Sequence, residues 1–183
     1  MNLTRTVALI GMMGAGKTKV GRLLAQHQGL VFIDADTEIQ KAAGCSIQDI
    51  FETQGEEVFR EGERKVIARL LNGPVHVLAT GGGAFQNPST RAVIAERAVS
   101  VWLRAEFNVL WERVSWRTNR PMLKTTDPRR TLAELIEQRD PIYAQADITV
   151  ISETGPVEET VVRVEDALRR AGYLVGGQRE RDR

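Results

Sequence analysis

The chain has 183 residues, 42% of them hydrophobic and 27% charged, which suits one domain with a substantial core. A net charge of +1 gives no electrostatic footing for a nucleic-acid or membrane partner, and no apolar stretch approaches the length of a membrane span. The single cysteine, Cys45, excludes an internal disulfide and suits a reducing compartment; with no secretory pattern at the N-terminus, a cytoplasmic, monomeric protein is expected.

In chain order, the apolar run Val7–Ile10 reads as a strand. It is followed by Gly11-Met12-Met13-Gly14-Ala15-Gly16-Lys17-Thr18, a complete G-x-x-x-x-G-K-[ST] phosphate-binding loop. A helical pattern follows, with Val20, Leu23, Leu24 and His27 on one face. Strand, glycine loop and helix in that order are the context the motif requires. Glycines let backbone N–H groups turn inward around an anion, and the positive end of the helix points at the same anion. Lys17 brings a mobile charge for the β- and γ-phosphates, and Thr18 a hydroxyl ligand for Mg²⁺.

A second strand, Leu30–Ile33, runs into Asp34-Ala35-Asp36. Two carboxylates two residues apart beside a phosphate loop can divide their duties. One faces Mg²⁺ through water and the other a substrate hydroxyl. The competing reading is a helix cap, because Asp36-Thr37 precedes a helical segment with Glu38 early in it. On the predicted helix Glu56–Leu71, Val58, Phe59, Gly62, Val66, Ile67, Leu70 and Leu71 form the apolar stripe. Arg60 lies off that stripe with Glu63 one turn on, the pattern of a solvated ion pair.

A third strand, Val75–Ala79, ends in Thr80-Gly81-Gly82-Gly83. Three glycines permit close approach of a ligand to backbone amides; the alternative is a mobile connection. Asn87-Pro88-Ser89 reads as a helix start. A fourth strand, Val99–Leu103, precedes a helix carrying Phe107, Leu110, Trp111 and Val114 on one face. Trp102 and Trp111 read as core, and the histidines His27 and His76 as packing or surface residues. Residues 115–128, with Arg120-Pro121-Met122-Leu123 inside them, read as a lid whose arginine can close over a transferring phosphoryl group. In the next helix Arg139 shares the register of Leu132, Leu135, Ile136 and Tyr143, so it faces inward and needs an anionic partner or a bound anion. Pro141 is expected to perturb that helix locally. A fifth strand, Ile148–Ile151, and a helix bearing Val157, Val161, Val164 and Leu168 complete the pattern; residues 176–183 read as a frayed tail. Five strands joined by helical crossovers imply an α/β, three-layer fold: a parallel sheet with helices on both faces in one domain, residues 1–175.

The set Gly11–Thr18, Asp34-Ala35-Asp36, Phe59-Arg60-Glu61-Gly62-Glu63, Gly81-Gly82-Gly83, Arg120-Pro121-Met122-Leu123 and Arg139 to Tyr143 resembles shikimate kinase in order and spacing, over residues 5 to 172. The loop alone marks a large superfamily; the later segments together are specific. The resemblance implies a nucleoside-monophosphate-kinase-like fold that transfers the γ-phosphate of ATP to the 3-hydroxyl of shikimate, on the route to chorismate and the aromatic amino acids. It implies that Gly14, Ala15, Gly16, Lys17, Thr18 and Lys19 hold the ATP phosphates, that Thr18 binds Mg²⁺ and that Asp34 supports the metal through water. It further implies that Asp36 binds the acceptor hydroxyls and serves as base. Arg60 and Arg139 would grip the carboxylate beside Gly81, Gly82 and Gly83, and Gly82 would give a backbone contact. Arg120 would reach ATP from the lid, and Arg113 would pack near adenine. An acceptor segment at about residues 34–62 follows from the same comparison. Met12, Met13 and Met122 are departures expected to leave the chemistry untouched. The rivals are another small-molecule kinase of this fold, gluconate-type or nucleoside monophosphate kinase, and a non-catalytic nucleotide-binding module.

Overall fold

The computed structural model describes residues 2–116, 123 and 125–176. Its centre is a five-stranded parallel sheet. The strands are β2 (Thr6–Ile10), β3 (Phe32–Asp34), β4 (Val77–Ala79), β5 (Ala98–Arg104) and β6 (Ile148–Ile151), in the order β3-β4-β2-β5-β6. A short antiparallel pair outside that sheet, β1 (Asn2–Leu3) with β7 (Leu174–Val175), ties the two ends of the described chain together. Periodicity alone did not reveal this pair, because two-residue strands carry no pattern.

Strands β2, β4 and β5 are buried on both faces, which is why they read as continuous apolar runs. The helices that cover them are α1 (Lys17–Gln28), α2 (Ala35–Ala43), α3 (Ile47–Thr53), α4 (Gly55–Leu71), α5 (Pro88–Arg97), α6 (Phe107–Val114), α7 (Pro128–Tyr143) and α8 (Val157–Arg170). The main core joins both helical layers to the sheet. A smaller cluster, Ile39, Ile50, Phe59 and Val66, is formed by α2, α3 and α4, with the Phe51 and Phe59 rings 4.7 Å apart. That satellite core carries one wall of the cleft described below.

Several local expectations are corrected. Val58 is 49% exposed, and Glu63 takes a place on the buried face of α4 in its stead. The cap of α2 is Asp34, whose Oδ1 accepts from the N–H groups of Asp36 and Thr37 at 3.1 and 3.4 Å, so the cap reading does not belong to Asp36. Helix α7 runs through Pro141 to Tyr143, and Arg139 faces inward as its register implied. Trp102 is buried and Trp111 packs against the core, whereas Trp116 is 71% exposed. His76 is buried, with its Nδ1 2.9 Å from the Pro74 carbonyl; His27 pairs with Glu165 on the surface.

Candidate active site

Register places the interesting residues together. Ala79 of β4 lies beside Asp34 of β3 and beside Leu9 of β2, so three strands deliver their exits side by side. From β2 comes the phosphate loop, from β3 the Asp34–Asp36 pair and from β4 the glycine triplet. Ligands of parallel α/β sheets bind beyond these carboxyl ends.

The loop turns on Gly11, Gly14 and Gly16, all at positive φ. At Gly14 space is also short: a Cβ would lie 2.8 Å from Val114 Cγ1 and 3.3 Å from the Leu110 carbonyl oxygen, so α6 is pressed onto the loop. Lys17 Nζ donates to the carbonyls of Gly11 and Met12 at 2.8 and 2.9 Å, which curls its side chain over the loop. Thr18 Oγ1 donates to Asp34 Oδ2 at 3.0 Å, joining the start of α1 to the end of β3. Arg113 on α6 donates to the Gly14 carbonyl and Ser152 Oγ, both at 3.1 Å, and to the Glu153 carbonyl at 2.5 Å. It thus fastens the loop to the segment between β6 and α8. Burial pulls its pKa down, against the pull of Glu112.

Beside the loop lies a cleft of about 390 Å³ lined by Met13, Asp36, Gln40, Ser46, Ile47, Gln48, Phe51, Phe59, Arg60, Glu63, Gly81, Gly82, Gly83 and Arg139. Asp36, Arg60, the three glycines and Arg139 are therefore brought to one space, and the two arginines open onto the same side of the molecule. Met13 lines it too, so this loop methionine is not remote from the site.

Arg60 is held on two sides. Its Nη1 donates to Glu63 Oε2 at 2.9 Å, and its Nε and Nη2 donate to Glu56 Oε1 at 3.2 and 3.0 Å. Burial pulls its pKa down, but the two glutamates outweigh that and hold it above the ordinary arginine value. The Arg60–Glu63 pair is not the solvated one its spacing suggested, because Glu63 is 2% exposed. Its Oε1 has no hydrogen-bond partner among the described residues. Burial raises the Glu63 pKa; Arg60 and Arg139 oppose the shift and nearby Asp36 adds to it. Arg139, 8% exposed, donates from Nη1 to the Gly82 carbonyl at 3.2 Å, and Tyr143 Oη donates to the same carbonyl.

Sequence reading missed Gln40, Ser46, Ile47, Gln48, Phe51 and Glu63. One signal was present: Ser46-Ile47-Gln48-Asp49 is a capping box, and both of its hydrogen bonds form at the start of α3. Gln40 Oε1 accepts from the Ile47 N–H at 3.2 Å and so joins α2 to α3. Arg120 and Met122 lie outside the described residues, as does half of the expected lid, residues 117–122 and 124. No cluster of three or more His, Cys, Asp or Glu suited to a metal exists among the described residues, and no described helix is long and apolar enough to cross a membrane.

The family model for shikimate kinase matches residues 13–169. A shikimate kinase from Cereibacter sphaeroides is 52% identical over 166 residues, 91% of this chain and 83% of that one. Another, from Rhodopseudomonas palustris, is 57% identical over 157 residues, 86% of this chain and 77% of that one. The solved structure of shikimate kinase from Acinetobacter baumannii in complex with shikimate superposes with a TM-score of 0.88 at 35% identity, covering 93% of this chain and 96% of that one. With the loop, the carboxylate pair, the glycine triplet and two inward arginines around one cleft, these matches show that the chain belongs to the shikimate kinase family.

Proposed function

We infer that this protein is a shikimate kinase in function as well as family, transferring the γ-phosphoryl group of ATP to the 3-hydroxyl of shikimate. The observation that carries this reading is the convergence of Arg60, Arg139 and Asp36 on a cleft that borders the phosphate loop at Met13. A small cyclic polyol with one carboxylate calls for that set. Guanidinium groups match a carboxylate in planar, two-point contact, and a carboxylate side chain accepts from hydroxyls. The alternative of a nucleotide acceptor is less well served, since such a cleft would need contacts for a base and a second phosphate.

In this reading Gly14, Ala15, Gly16, Lys17, Thr18 and Lys19 cradle the ATP phosphates, with Lys17 leaving its carbonyl partners for them. Arg60 and Arg139 fix the acceptor carboxylate beside Gly81, Gly82 and Gly83. Asp36 accepts the proton of the attacking hydroxyl as the new P–O bond forms and the bond to the β-phosphate oxygen breaks, leaving ADP. Thr18 Oγ1 and Asp34 Oδ2, 3.0 Å apart at the loop mouth, are hard oxygen donors of the kind Mg²⁺ takes. These two residues would hold the ion, Asp34 through water. When bound, it neutralises charge on the β- and γ-phosphates. Arg113 stands beside the place for adenine, and Arg120, outside the described residues, would act on ATP from the lid that the family resemblance implies. One domain, residues 1–175, working as a monomer in the cytoplasm, completes the proposal.

An ADP-release assay with ATP and Mg²⁺ and, in turn, shikimate, gluconate and nucleoside monophosphates tests it. Rapid acceptor-dependent turnover with shikimate alone is expected. Equal or better turnover with gluconate or a nucleotide would replace this reading with the corresponding kinase. ATP binding with no turnover of any acceptor would favour the non-catalytic module.

A further inference from the structure

None of Gly81, Gly82 and Gly83 has the left-handed backbone for which glycine is usually kept; the positive-φ glycines lie elsewhere in the chain. Alanine could adopt these conformations and would restrict the unfolded chain, a stabilising exchange. The reason for glycine must therefore be space, and the space is already filled by protein.

A Cβ on Gly81 would lie 2.8 Å from Glu63 Oε1 and 2.9 Å from Asp36 Oδ1. A Cβ on Gly83 would lie 2.5 Å from Arg60 Nη1 and 2.7 Å from both Cζ and Nη2, so the guanidinium lies across the bare Cα. At Gly82, between them, the nearest atom would be Arg139 Nη1 at 3.6 Å, an ordinary contact. The two outer glycines thus touch the tips of the acceptor-site side chains. The nearest contacts at both positions are side-chain atoms, so a methyl group there presses first on side chains.

We propose that Gly81 and Gly83 are positioning residues: Gly81 seats the Asp36 and Glu63 carboxylates, Gly83 seats the Arg60 guanidinium, and the methyl group each lacks leaves the room those three side chains need to take their places in the cleft. The proposal rests on the acceptor reading given above for the names of the kinetic effects. It does not rest on that reading for the displacement itself.

The seats differ in what they hold, so their loss gives different signatures. In Gly83→Ala the guanidinium is pushed off its perch, and the KM for shikimate rises roughly tenfold or more while kcat changes less. In Gly81→Ala the Asp36 carboxylate is displaced, and kcat falls by roughly 100-fold, the scale of an ångström-level misplacement. In both, the KM for ATP stays within about twofold and the melting temperature falls by no more than about 10 °C, because the clash falls on side-chain tips and the disturbed Arg60–Glu63 and Asp36 groups can shift within the cleft. Lysine is slimmer than arginine at its tip, so Gly83→Ala costs much less in an Arg60→Lys background than in the parent. Crystal structures of the two variants give a readout independent of the acceptor: the Arg60 or the Asp36 and Glu63 side chains are displaced while the backbone superposes. An inactive parent with displaced side chains in the variants would sink the acceptor reading and leave the seats standing. Parent-like side-chain positions, parent-like kinetics in an active enzyme, or variants that fail to fold would each overturn the seats.

Discussion

Arg60 and Arg139 reach the same cleft by different means. Arg60 is exposed enough to need two glutamates to hold it, whereas Arg139 is buried on α7 and leans on the Gly82 carbonyl. Arg139 donates to a neutral carbonyl and shares the field of the Glu63 carboxylate with Arg60, so the two arginines leave positive charge at the cleft for an anionic ligand. Arg139→Lys keeps the charge but loses the planar fork, so the KM for shikimate should rise roughly tenfold to a hundredfold with the KM for ATP unchanged, as read from initial rates. Asp36→Asn should lower kcat by roughly 10²–10⁴ while shikimate still binds; full turnover would remove Asp36 as base. Tyr143 gives a pH test. Its burial raises the phenol pKa from 10.0 to about 12, against the pull of Arg139, so its contribution to stability is complete below pH 10 and is lost as pH rises toward 12. In urea denaturation the parent should lose roughly 2–3 kcal/mol relative to Tyr143→Phe across that window; parallel curves would contradict the assignment. Among these residues, Arg139 was legible because its register was apolar. Glu63 was not, since a glutamate three residues after an arginine has the spacing of a surface pair and nothing in the spacing reports that α4 turns that face inward.

At the scale of elements, α6 and the phosphate loop act as one unit. Val114 and Leu110 press on Gly14, and Arg113 ties the loop to the segment before α8. Gly14→Ala adds a clash at 2.8 Å to a backbone at φ +83. It should destabilise the protein by roughly 1–3 kcal/mol and raise the KM for ATP, seen by thermal melting and initial rates. Unchanged values in both would mean that the loop yields without cost. The loop itself was legible because its motif is chemical and its flanks periodic. Helix α3 was not, because seven residues hold two turns, and Ile47, Ile50 and Phe51 give a single i, i+3, i+4 set with no i+7 member to extend it. The capping box at Ser46 was the available signal. The same shortness hid β1 and β7.

For the whole molecule, strand order does most of the work. Placing β4 between β3 and β2 sets the Asp34–Asp36 pair, the glycine triplet and the phosphate loop in a row, although Gly82 lies 46 positions after Asp36 along the chain. The five strands were readable as apolar runs, and the crossovers as helical periods between them. Their order was not readable, because short apolar runs carry no mark of which strands are neighbours; β2, β4 and β5 are buried on both faces, whereas the edge strands β3 and β6 are only partly covered. The cleft wall from α2 and α3 depends on a small second core whose members, Ile39, Ile50, Phe59 and Val66, lie in three different helices. The central claim is that this arrangement puts the terminal phosphorus of ATP within reach of one particular hydroxyl of shikimate. Phosphorus and proton NMR of the product formed from ATP, Mg²⁺ and shikimate tests it most directly. A single phosphate ester coupled to the proton on carbon 3, with ADP in equal amount, is the predicted result. A phosphate on another hydroxyl, or ADP released with free phosphate and unchanged shikimate, would contradict it.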